Sequence, residues 1–139
     1  LNKTTLKFEL DLNFKLLAVS SQLKDYVFCF KINKTIGFDF CKINDLELPF
    51  NGGNENNYFS RYYFLRLDTE TEYYIISNKG SEGFLLPEMK KADYFILIRN
   101  YIDNDDLKYL ITELNKMPEV LVALEVDPKK LKSKENLIF

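Results

Sequence analysis

Leu6, Phe8, Leu10 and Leu12 alternate with Lys7, Glu9 and Asp11, the period-two pattern of a strand buried on one side. The run from Phe14 to Val19 is more continuously apolar and predicts a second, more deeply buried strand ending at Ser20-Ser21. Serines are preferred N-cap residues. After them Leu23, Tyr26, Val27 and Phe30 recur at helical spacing as far as Gly37, a natural stop. Tyr26, Phe28, Phe30 and Ile32 also alternate, so this segment carries both periods; the serine pair and the glycine tip it towards helix.

Phe38 to Ile43 alternates again and reads as a strand. The segment from Pro49 to Asn57 holds Gly52-Gly53 and four asparagines, residues that favour turns over packing, and predicts a flexible surface loop. Tyr58 to Leu67 and Glu72 to Ser77 form a predicted hairpin across Asp68-Thr69-Glu70-Thr71. Asn78-Lys79-Gly80 predicts a turn into a short strand, Gly83 to Leu86, which Pro87 ends because it has no N–H for a ladder. Asp93 to Asn100 is a further strand.

The second helix has the clearest signature. Asp103-Asn104-Asp105 supplies caps, Leu107, Leu110, Ile111, Leu114 and Met117 make one apolar stripe, and Pro118 closes it. Val120 to Val126 is the closing strand, followed by Asp127-Pro128 and a tail running from 128 to 139 with four lysines before Leu137-Ile138-Phe139. The order predicts a single α+β domain over 1–139. Its expected architecture is a mainly antiparallel sheet of about six to seven strands with two helices on one face. The two strand-helix-strand units flank the hairpin region and could be structurally related.

Composition narrows the function classes. Nineteen basic against twenty-one acidic residues leave a net charge of -2, which gives no global attraction to nucleic acid or anionic membranes. No stretch of about 18 apolar residues offers a membrane span, and the N-terminal residues lack a signal-peptide core, so the cytoplasm is the expected compartment. Cys29 and Cys41 are too few for a disulfide framework and sit among apolar residues as small hydrophobes.

Histidine is absent, which removes Ser-His-Asp and Cys-His catalytic systems and histidine-bearing metal sites. The glycines, at 37, 52, 53, 80 and 83, form neither a phosphate-binding loop nor a dinucleotide fingerprint, so no cofactor is expected. Carboxylate chemistry is left, at Glu88 with Asp93 or at Asp103, Asp105 and Asp106; the latter cluster is better explained as a helix start.

The hairpin and the Asp93–Asn100 strand are apolar on both faces. Tyr58, Tyr62 and Phe64 oppose Phe59, Tyr63, Leu65 and Leu67; Tyr94, Ile96 and Ile98 oppose Phe95, Leu97 and Tyr101. A sheet with helices on one side and water on the other should alternate apolar with polar. Something must therefore cover the second face: the chain's own termini, a second copy, or another protein. Arg61, Arg66 and Arg99, all the arginines of the chain, lie on these same strands. With Tyr62, Tyr63 and Tyr94 they mark a candidate interaction surface. Arginine beside tyrosine on a sheet can also hold single-stranded RNA by stacking, a reading the acidic balance opposes.

At Leu86-Pro87-Glu88-Met89-Lys90-Lys91-Ala92-Asp93-Tyr94 the chain resembles the bacterial IPExxxVDY family, with Pro87, Glu88, Asp93 and Tyr94 matching and Leu86 and Ala92 as mild apolar changes. The likeness extends through Leu16 to Tyr26 and Leu131 to Phe139. It implies a small cytoplasmic bacterial protein and brings no activity with it; the family's genes often lie near those for ribonuclease III and pyruvate kinase, which slightly favours an RNA-related or housekeeping role. Physically the signature reads as a corner: Pro87 stops one strand, Glu88 accepts backbone amides, and Asp93-Tyr94 opens the next. The leading expectation is a non-enzymatic protein-interaction or self-associating module, with a protein partner or homodimer. An RNA-associated module using Arg61, Tyr63, Arg66 and Arg99 is the first alternative. A carboxylate-based small-ligand binder or enzyme around Glu88 and Asp93 is the second.

Overall fold

A computed structural model describes residues 12–49 and 55–139. Six strands and two helices follow one another as β1 (Lys15–Ser21), α1 (Asp25–Ile36), β2 (Cys41–Pro49), β3 (Asn56–Arg66), β4 (Thr71–Ser77), β5 (Tyr94–Arg99), α2 (Asn104–Lys116) and β6 (Val120–Val126). They build one antiparallel sheet in the order β2-β3-β4-β5-β1-β6. In β5-α2-β6 the helix carries the chain over β1, and β1-α1-β2 crosses three strands. This interleaving is that of a β-α-β-β-α-β split, widened by two strands in the middle. The α+β expectation with two helices on one face holds.

Both helices lie on the same face. Phe28, Cys29 and Ile32 of α1 and Leu107, Leu110 and Leu114 of α2 share a core with Leu17, Val19, Tyr62, Tyr73, Tyr94 and Ile96 from the sheet. Gly37 ends α1 with φ 85°, the left-handed conformation glycine adopts without a Cβ penalty. The Asp103 carboxylate accepts the Asp106 N–H at 2.8 Å and caps α2, so this acidic cluster is a helix start. The first helix is not capped by Ser20 or Ser21, which belong to β1; Lys24 holds the N-cap position with no side-chain bond. The strand runs on through Ser21 because its N–H donates to the Asp93 carboxylate at 2.8 Å.

Other boundaries also differ from the pattern. The strand expected from Phe38 to Ile43 starts at Cys41, because the Asn33 side chain brackets Phe40, accepting its N–H at 2.8 Å and donating to its C=O at 3.0 Å. Pro49 closes β2 opposite Asn56, so the expected loop from 49 to 57 gives up both ends to the ladder. Residues 50–54 of that loop, and Leu6, Phe8 and Leu10 of the expected first strand, lie outside the described residues; Leu12 precedes β1. Gly83 to Leu86 is not a strand: one bridge, Lys79 to Phe84, is all that pairs there. Leu85 and Leu86 turn inward instead.

Much of the second face of the sheet is covered by the chain itself. Leu16, Ala18, Phe59, Ile76, Phe95 and Leu97 pack beneath Leu85, Leu86 and Ala92 from the β4–β5 connection and Leu131 and Leu137 from the tail. Burying such residues contributes on the order of 1.5–3 kcal/mol each. The two-sided apolar pattern thus finds its cover within one molecule.

Candidate functional site

The β4–β5 connection is organised by Asn78, which is wholly buried. Its amide group donates to the carbonyls of Met89 (2.9 Å) and Ala92 (2.8 Å) and accepts the Leu86 N–H (2.9 Å). Its backbone carbonyl takes the Leu85 N–H and its own N–H donates to Asp93. Every polar atom of this buried residue is satisfied, which is what makes its burial affordable. The connection is thereby folded tightly around a single side chain, with a 3-10 turn at Pro87–Met89.

The four signature residues act within this frame. Pro87 opens the 3-10 turn. Glu88 accepts the Ser133 N–H at 2.8 Å and the Ser133 hydroxyl at 3.0 Å, which pins the tail to the turn. Partial burial alone would raise its pKa; the Ser133 bonds outweigh this and hold the carboxyl below its ordinary value. Asp93 accepts the Ser21 N–H and donates its own N–H to Val19. Tyr94 stacks on Phe28 with centroids 4.5 Å apart and donates its hydroxyl to the Leu23 carbonyl. Glu88 and Asp93 each hold backbone in a different place, and do not converge as an acid–base pair would.

The six residues of the expected interaction surface divide between the two faces. Tyr62 and Tyr94 are buried under the helices, Tyr62 donating to Asp25 at 2.9 Å. Arg66 lies on that face too, over the rings of Phe38 and Phe64. Arg61, Tyr63 and Arg99 gather on the second face around Phe139. The Arg61 and Arg99 guanidiniums stand 5.0 and 4.8 Å from the Phe139 centroid, and Arg99 also covers Tyr74 at 4.7 Å. Burial lowers the Arg61 pKa, and Arg99 nearby adds to this. Tyr63 donates to Glu72 at 2.7 Å, and burial with that bond pushes its pKa up to about 12. Arg61, Tyr63 and Arg99 form a cluster, but Tyr62, Tyr94 and Arg66 cannot share a surface with them because the sheet stands between.

Among the described residues, the second face is open at β6. The register passes from Ser20 opposite Val122 to Ser21 opposite Val120, so Leu121 is an extra bulged residue. It is 86% exposed; Val122 and Leu124 beside it are 40% and 44% exposed. These residues border a groove of about 1000 Å³ floored by Ala18 and walled by Met89 to Asp93 on one side and Pro118 to Val120 on the other. The signature segment therefore forms one wall of an apolar groove. Lys90 and Lys91 stand on that wall; Glu119, which also lines the groove, pairs with Lys31 of α1 at 3.2 Å.

The edge of β6 is closed at its centre. Asn115 of α2 accepts the Ala123 N–H at 2.9 Å and donates to the Ala123 C=O at 2.8 Å. Both groups point outward from the sheet, so the side chain stands in for a neighbouring strand. Asn33 of α1 makes the same pair of bonds to Phe40, just ahead of β2 at the far edge. Sequence patterning missed Asn33, Asn78 and Asn115, since a lone asparagine signals a turn or cap and its distant backbone partners leave no periodicity.

Among the described residues no group of three or more His, Cys, Asp or Glu side chains could hold a metal ion, and no helix is long and apolar enough to cross a membrane. No family model, no curated protein and no solved structure matches the chain.

Proposed function

We propose that this chain is a non-enzymatic, cytoplasmic protein-interaction module whose docking surface is the groove between the signature segment and β6. The observation that carries this reading is the exposure of Leu121, Val122 and Leu124 along an apolar groove. Contiguous exposed apolar surface of this kind marks interaction sites. The resemblance to the IPExxxVDY family bears on the same place, since the signature segment supplies Met89 to Asp93 to one groove wall. The RNA reading is weaker because the stacking faces of Arg61 and Arg99 are taken by Phe139 and Tyr74.

A photo-crosslinking residue placed at Leu121, with the same residue at exposed Tyr109 on α2 as control, tests the reading in living cells. Protein adducts from position 121 and none from 109 are expected. Equal yields at both positions, or none at 121, would overturn it.

A further inference from the structure

We infer that the occupant of the β6 groove is a helix of another protein, apolar along one side and acidic around it, held by lysines that the fold gathers at the groove. This deepens the docking reading above and rests on it. The tail does the gathering. After β6 ends at Val126 the chain crosses the second face, where Leu131 packs in the cluster that holds Ala18, the floor of the groove. Ser133 then bonds to Glu88 through its N–H and its hydroxyl. Two lysine runs far apart in sequence, Lys90-Lys91 and the four between Lys129 and Lys134, are joined in this way beside one apolar surface.

Residues 87–93 and 127–139 hold six lysines and four carboxylates, on a chain whose net charge is -2. Five of the six lysines are exposed, and among the described residues none of the six is in an ion pair. Lys90 lies 5.8 Å from the Phe84 centroid, a contact that leaves its charge standing. The acidic groups nearby are engaged: Glu88 with Ser133, Asp93 with the Ser21 N–H, Asp127 with the Lys129 N–H, and Glu119 with Lys31. Glu135 offsets at most one lysine. A positive rim beside an apolar floor selects a partner that is acidic around an apolar stripe. Asn115 holds the outward N–H and C=O of Ala123, so an extended segment cannot add to the middle of β6, whereas a row of side chains from a helix can enter the groove. An apolar floor gives nothing to a sugar–phosphate backbone, which RNA would place there.

Fluorescence anisotropy of the full chain with two labelled synthetic helices tests this. One helix carries leucines along one side and glutamates around them; its twin has lysines in place of the glutamates. The glutamate helix should bind at least roughly 10-fold more tightly, and lose that margin as salt rises from about 0.05 to about 0.5 M. Lys90→Glu with Lys91→Glu and Lys132→Glu should reverse the preference, a swap that an unfolded chain cannot show. Leu121→Asp should weaken both helices. Equal affinity for the two helices, binding of neither, or a preference unmoved by the lysine reversals overturns the inference. Tighter binding of poly-uridine RNA or of phosphatidylglycerol vesicles than of the glutamate helix overturns it too. Crosslinks from position 121 as strong in the lysine-reversed chain as in the wild type would overturn the acidic partner and leave the docking reading standing.

Discussion

Replacing Asn78 with alanine removes three hydrogen bonds from a site with no access to water. The Leu86 N–H and the carbonyls of Met89 and Ala92 would be left facing a small void. A buried group that loses its partner costs about 1–3 kcal/mol, and the three together, relieved in part by local rearrangement, sum to about 3–6 kcal/mol. A domain of this size has a total stability of roughly 5–15 kcal/mol, so the variant should be at the edge of folding. Urea unfolding followed by circular dichroism gives the difference directly, provided the slope with denaturant is unchanged. Asn78→Asp sharpens the test: it keeps the shape and the acceptor for Leu86 but turns a second acceptor against two carbonyls, and should be at least as damaging. A loss below about 1 kcal/mol for Asn78→Ala would refute the reasoning, since it would mean these groups find water or other partners.

Gly80→Ala should destabilise by about 1–3 kcal/mol, read in the same melts, because a Cβ there would stand 2.5 Å from the Asn57 side chain and 2.6 Å from the Phe59 ring. Glu88 has a folded pKa held below its unfolded value, so its contribution is present above about pH 4.3 and lost as pH falls through the folded value. Solvent screening keeps that contribution under about 1 kcal/mol, and Glu88→Gln should flatten the acid limb of the stability profile while leaving the neutral region little changed. Burial pushes the Cys29 thiol up to about 11, so a thiol reagent near pH 8 should modify exposed Cys41 quickly and reach Cys29 only on unfolding.

Much of the fold can be read from the residues alone. The stripe from Leu107 to Met117 and the Asp103 cap specify α2 because period and capping agree. The doubled apolar pattern of β3 and β5 announces a sheet covered on both sides, and Leu137 with Phe139 hints at the cover. The starts of α1 and β2 are obscured because tertiary bonds set them: Asp93 extends β1 through Ser21, and Asn33 holds Phe40 out of the ladder. The split of Tyr62 and Tyr94 from Arg61 and Arg99 follows from alternation along each strand, but which face the helices take does not. The groove depends on a bulge at Leu121 and on a connection folded around Asn78, and neither leaves a local pattern.

Among the described residues, 84–92 and 128–139 cover the middle of the second side of the sheet and leave β6 open. Carbene footprinting of the intact chain, with labelling resolved by residue, measures this most directly. Heavy labelling at Leu121, Val122 and Leu124, with Phe59, Phe95 and Leu97 protected, is the expected result. Labelling of Phe95 and Leu97 as strong as that of Leu121 would contradict it.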